Sequence, residues 1–181
     1  MGDSYKNTKS YYRRMPNPTT HLLVPLILAD IYRDYIAKKK FKLFFILAAG
    51  IAGLLPDIDI AIGAVMKYIF NLPGSVAHRQ FTHTIFIPLI FLAVALLWRK
   101  NRQALLLFSM IAFGSFTHII LDMLLQGQIM PFYPLSGISI GISFAALSAK
   151  ETIVFFTLID GILLGAWLIH EYAKHRIRDF I

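Results

Sequence analysis

The sequence predicts an all-α fold: a polytopic integral membrane helical bundle of about four to five membrane-embedded helices with short interfacial helices beside them. Apolar residues make up 57% of the 181-residue chain, and the mean hydropathy is +0.62, more than a soluble globule of this size carries. They gather in runs of helical length. The basic residues, which set a net charge of +8, collect in short clusters at the ends of those runs, where the positive-inside rule puts them. No basic stripe interleaves with aromatics as a phosphate-tracking groove requires, so nucleic acid is not an expected partner. Cysteine is absent, which excludes disulfides and thiolate metal sites and leaves His, Asp and Glu as strong ligands.

Residues 1–14 are polar and basic and read as a disordered extension. Met15 is an alternative start, and residues 15–181 read as a single membrane-embedded domain. The run that follows is broken by Asp30 and offers no small-x-small cleavage site, so no cleaved signal peptide is expected. A first helix is expected over about 20–37, capped by Thr19 or Thr20 and kinked by Pro25. Asp30, Arg33 and Asp34 make it a packed or interfacial helix rather than a lipid-facing one. Residues 43–55 are continuously apolar but too short to cross a hydrocarbon core of about 30 Å, and they stop at Pro56. Residues 60–70 continue that helix after a break or lie along the interface. Spans over about 82–98 and 104–125 are joined by a tight basic turn and are therefore antiparallel neighbours. In 126–150, Ile138, Ile140, Ile142 and Phe144 alternate with small residues, a period of two that suits extended chain, as a surface loop or a lid. The last span, about 152–170, carries Asp160 and the pair Gly161 and Gly165, whose spacing permits close helix packing within the chain or in a homo-oligomer.

Two carboxylates, Asp57 and Asp59, and two imidazoles, His78 and His83, flank the apolar segment that follows Pro56. Hydrocarbon cannot solvate such groups, so a partner or a metal must. Asp57-x-Asp59 is either a helix stop with a cap or a pair of oxygen ligands whose mutual repulsion a divalent cation relieves. His118 and Asp122, four apart, project from one helical face. Arg79 is an anion clamp or a snorkelling side chain. Asp160 is a ligand, a partner orienting a histidine, or a contact to another helix. Counting 1.5 Å of rise per residue from the nearest basic cluster, His21, Asp57, His83, His118 and Asp160 all lie roughly 21 to 26 Å from the basic face. With the clusters cytoplasmic, these groups share one layer toward the outer face.

Assembled as Thr20-His21, Leu55-Pro56-Asp57-Ile58-Asp59, His78-Arg79-Gln80-Phe81-Thr82-His83-Thr84, Thr117-His118 through Asp122, and Pro131-Phe132, the chain resembles the YdjM-like family of inner-membrane, metal-dependent hydrolases over residues 15 to about 134. Gln80 stands where the pattern often has glycine. The resemblance implies His21, Asp57, Asp59, His78, His83, His118 and Asp122 as metal ligands. The expected cofactor is a divalent metal, one or two ions, Zn or Mn. The expected activity is hydrolysis of an ester or phosphoester near the outer interface of the cytoplasmic (inner) membrane, on a lipid or lipid-linked substrate. Asp59 would take the proton of a bound water and Arg79 would steady the developing charge. The competing expectation is a non-catalytic metal-binding membrane protein, a transporter or a metal-stabilised scaffold. No Gly-x-Ser-x-Gly elbow is present, and Ser115 is expected to be a packing residue.

Overall fold

A computed structural model describes residues 18–69, 81–125, 128–142 and 149–174. The described residues contain six α-helices and no strand: α1 (Pro18–Ile31), α2 (Leu43–Ala52), α3 (Ile58–Tyr68), α4 (Phe86–Leu97), α5 (Arg102–Leu125) and α6 (Ala149–Ala173), with a π-helical turn, Tyr32–Ile36, closing α1. Two helical segments, Arg102–Leu125 and Ile153–Ala173, are long and apolar enough to cross a membrane; Leu43–Ala52 and Phe86–Leu97 are shorter apolar helices.

Helix α5 is central. It starts where the Asn101 Oδ1 accepts the Gln103 and Ala104 amides at 3.1 and 3.2 Å, an N-cap that ends the basic turn after α4. It then packs against α4, α2 and α1. Small residues let the backbones approach. A Cβ on Gly114 of α5 would lie 2.1 Å from the Ala49 carbonyl of α2, so only glycine fits there. At the end of α2 a Cβ on Gly53 would lie 2.0 Å from the His21 carbonyl of α1. Pro25, buried inside α1, has no N–H and so leaves that carbonyl without its usual helical donor. The proline and the glycine together let α2 end against the backbone of α1. Leu26, Ala29, Leu43, Phe45, Ile46, Ala49 and Met110 fill the core between these three helices.

Among the described helices α6 packs on α1 alone, in parallel and in a constant register: Thr20 meets Asp160, Asp30 meets His170, and Asp34 meets Lys174. The Thr20 Oγ1 donates to Asp160 Oδ1 at 2.8 Å, both residues buried, which makes Asp160 a contact between helices. At the other end the His170 Nε2 donates to Asp34 Oδ2 at 3.1 Å and Lys174 Nζ lies 3.5 Å from the same oxygen. The remaining faces of α6 expose Ile153, Phe155, Leu158, Ile162 and Ile169. Among the described residues nothing lies within 4 Å of where a Cβ on Gly161 or Gly165 would stand, so their spacing is not used for packing between described helices.

The stretch expected to be extended carries a single antiparallel bridge between Ile129 and Ile140, with mutual amide–carbonyl bonds of 3.0 and 2.9 Å. It rests against the turn before α4, where the Ile85 amide donates to the Pro131 carbonyl at 2.9 Å and Phe81 meets Tyr133 edge-on.

Candidate metal centre

Five of the residues singled out in the sequence converge where four chain segments meet. His21 comes from the first turn of α1, Asp57 from the turn between α2 and α3, His83 from the turn before α4, and His118 and Asp122 from successive turns of α5. Asp57 occupies the N-cap position of α3, yet its carboxylate makes no capping bond to that helix. It turns inward instead. His83 Nε2 lies 3.3 Å from Asp57 Oδ1, 3.3 Å from Asp122 Oδ2 and 3.2 Å from His118 Nε2. His118 Nε2 is 3.7 Å from the same two oxygens.

The protonation of both rings follows from their outer nitrogens. His118 Nδ1 is 2.6 Å from the Gly53 carbonyl, and a carbonyl only accepts, so Nδ1 carries the hydrogen and Nε2 presents a lone pair. The Thr82 hydroxyl donates to Asp59 Oδ2 at 2.9 Å; its single hydrogen is thereby used, and it accepts from His83 Nδ1 at 3.0 Å. In the neutral ring His83 Nε2 is therefore also a lone pair. With both rings neutral, two bare imidazole nitrogens and two carboxylate oxygens face one another with no hydrogen to share between the nitrogens, an arrangement that positive charge among them relieves, either a metal ion or a further proton on one ring.

The spacing fits such a cation. An ion bound tetrahedrally at about 2.0–2.1 Å holds its ligand atoms about 3.3–3.4 Å apart, the edge of the tetrahedron. Five of the six separations among these four atoms run from 3.2 to 3.7 Å. Burial is graded across the cluster: the side chains of His83, His118 and Asp122 are at most 1% exposed, whereas that of Asp57 is 26% exposed. Asp57 is thus the most exposed of the four.

Residues 15–178 match the family model described as YdjM inner membrane protein. The chain belongs to this family. No curated protein and no solved structure gave a match. The family description and the two long apolar helices place this member in a membrane. The match runs past the loop after α5 and takes in α6, further than the residues to about 134 that carried the resemblance.

His21, Asp57, His83, His118 and Asp122 are thus brought together, in two overlapping groups able to hold a metal ion: His21, His118 and Asp122, and Asp57, His83 and His118. Asp59 belongs to neither group. It is buried, and its carboxylate accepts from the Thr82 hydroxyl, which also bonds His83 Nδ1. His78 and Arg79 lie outside the described residues. The Ser115 hydroxyl donates back to the Ile111 carbonyl of its own helix, as a packing serine does. Sequence reasoning did not single out Gly53, whose carbonyl fixes His118, nor the partnership of Thr20 with Asp160; the glycine three residues before the Pro-Asp motif was the available signal for the first. A second polar cluster went unread: Asp30, His170 and Glu171 form another group with metal-ligand spacing between α1 and α6.

Proposed function

We propose that this family member is a membrane-embedded, metal-dependent hydrolase acting on an ester or phosphoester at the outer interface of the cytoplasmic membrane, with a lipid or lipid-linked molecule as substrate. In this reading the chain is a polytopic bundle whose basic turns, at 38–42, 99–102 and 174, are cytoplasmic. The reading rests on one observation: two imidazole Nε2 atoms, turned inward as lone pairs in the neutral rings, and two carboxylate oxygens at separations of 3.2 to 3.7 Å, with three of the four side chains at most 1% exposed.

Asp57, His83, His118 and Asp122 would hold a divalent ion, and nitrogen and oxygen donors without thiolate suit Zn or Mn. Such an ion supplies an acidified water and polarises the oxygen of the bond to be cleaved. The chain's own residues supply the rest. Gly53 and the Thr82–Asp59 pair orient the two rings, so Asp59 acts through His83 rather than on substrate. Asp57, the most exposed of the four, is placed to accept the proton of an incoming water. Arg79, four residues before His83 in sequence, is proposed to pair with the substrate's negative charge.

A transporter is the second reading, and one observation favours it: the Asp30, His170 and Glu171 group lies about ten residues along α1 from His21, roughly 15 Å deeper. Leu23, Leu26 and Trp167 fill the interval, which favours two separate polar clusters over a continuous path.

The test is metal content, by mass spectrometry, of the detergent-purified chain beside His83→Ala and Asp122→Ala of matched folding. Bound transition metal lost in both variants, with hydrolysis of lipid or phosphoester probes lost alongside it, is expected. Chelation that unfolds the protein while no probe is cleaved would favour a scaffold. Uptake of metal into proteoliposomes that stops on Asp30→Asn would favour transport. No bound metal after incubation with Zn²⁺ or Mn²⁺ would sink the hydrolytic mechanism.

A further inference from the structure

His21 is not accounted for by the four-donor centre. Its ring is 1% exposed, and neither Nδ1 nor Nε2 makes a hydrogen bond. Every imidazole has two nitrogens that seek partners, and leaving buried polar atoms unbonded costs about 1–3 kcal/mol each. Asp122 Oδ1 lies 3.4 Å from Nε2. That is the other oxygen of the carboxylate whose Oδ2 faces His83 and His118. Asp122 therefore presents one oxygen to the four-donor centre and the second to His21.

The rings show the same doubling. His21 stacks on His118 with centroids 4.0 Å apart and planes 29° from parallel. Two ions bridged by one carboxylate lie about 3.5–4 Å apart, so two near-parallel imidazoles at this spacing fit two neighbouring ions, one each. His118 cannot serve both, because its single inward lone pair belongs to the first.

We propose that the His21 nitrogen and Asp122 Oδ1 form the seat of a second divalent cation, with Asp122 bridging it to the ion held by Asp57, His83 and His118. The proposal rests on the four-donor reading and extends it from one ion to a pair. With one imidazole and one carboxylate oxygen among the described residues, the second seat has open positions for water or a substrate oxygen. His21 is anchored for this role. Thr20, beside it, is tied to Asp160 of α6, and the His21 carbonyl packs against Gly53 at the end of α2.

The experiment titrates the full-length, detergent-purified chain with Mn²⁺ and reads bound ion by electron paramagnetic resonance. Two Mn²⁺ per chain with an exchange-coupled multiline spectrum is expected for wild type. One Mn²⁺ with an isolated six-line spectrum is expected for His21→Ala, and equally for His21→Phe, which keeps the ring that stacks on His118. A wild type that saturates at one ion overturns the second seat and leaves the four-donor centre standing. Two ions retained in both variants, or two that show no coupling in wild type, also overturn it. No bound Mn²⁺ in wild type overturns the four-donor centre, and the second seat with it. The wild-type spectrum decides between these results even where a variant fails to fold.

Discussion

Gly53→Ala should damage the centre without replacing a single candidate ligand. The new Cβ would sit 2.0 Å from the His21 carbonyl and 2.8 Å from Pro25 Cγ, and real Cβ contacts shorter than 3.0 Å are essentially never seen. The end of α2 and the start of α1 must then separate by at least about 1 Å, since neither the carbonyl nor the proline ring can swing aside. Overpacking of this size costs about 1–3 kcal/mol. The displacement falls on both sides of the centre at once, because His21 carries the struck carbonyl and Gly53 carries the acceptor that holds His118 at 2.6 Å. Loss of an outer partner of a metal-bound histidine typically costs about 10–100-fold in affinity. Gly114→Ala strikes the same connection from α5: its Cβ would lie 2.1 Å from the Ala49 carbonyl, which accepts from the Gly53 amide at 3.1 Å, and Gly114 stands one turn before His118. Thermal unfolding and competitive metal titration in detergent separate the two effects. Both variants are expected to lower stability and affinity together. Wild-type affinity in a folded Gly53→Ala protein would refute the proposed orientation of His118.

Thr82→Val removes the hydroxyl between Asp59 and His83 and is expected to weaken metal binding by about 10–100-fold, while Thr82→Ser restores it; equal affinities in a titration would show that the hydroxyl does not orient the ring. Thr20→Val should lower the unfolding midpoint by an amount equivalent to about 1–3 kcal/mol, because Asp160 loses a buried donor, whereas Gly161→Ala, with nothing within 4 Å of its Cβ, should be neutral or slightly stabilising in the same melt. Because the chain has no cysteine, single cysteines report topology directly: Lys100→Cys should react with an impermeant maleimide only in opened cells, and Ser136→Cys in intact spheroplasts.

Much of this architecture was legible in one dimension. The runs that became α4, α5 and α6 are long and apolar, and their observed bounds depart from the expected ones by only a few residues. His118 and Asp122 share a face by spacing alone, and the structure puts both on one ion-sized gap. Spacing could not separate Asp57 from Asp59. Two residues apart at a helix start, their side chains diverge by about 200°, so one reaches the imidazoles and the other reaches Thr82. Which is which depends on where the 81–85 turn lands, a contact across more than twenty residues. The α1–α6 register was hidden for a similar reason. Each helix read alone shows isolated polar residues, and only their parallel alignment turns Asp160, His170 and Lys174 into partners of Thr20, Asp30 and Asp34.

The five converging side chains enter the growing polypeptide at residues 21, 57, 83, 118 and 122. During synthesis, His21 and Asp57 must therefore be delivered to the bilayer well before α5 exists, and nothing complete enough to hold an ion forms until Asp122 has left the ribosome. Until then the early helices carry unmatched polar groups, which favours their waiting at the lipid–water boundary or beside the insertion machinery. Arrival of α5 removes that reason to wait. Its two ligands join α1, the α2 end and the His83 turn in a single event, so capture of the ion would also mark the moment at which the bundle commits to its final arrangement.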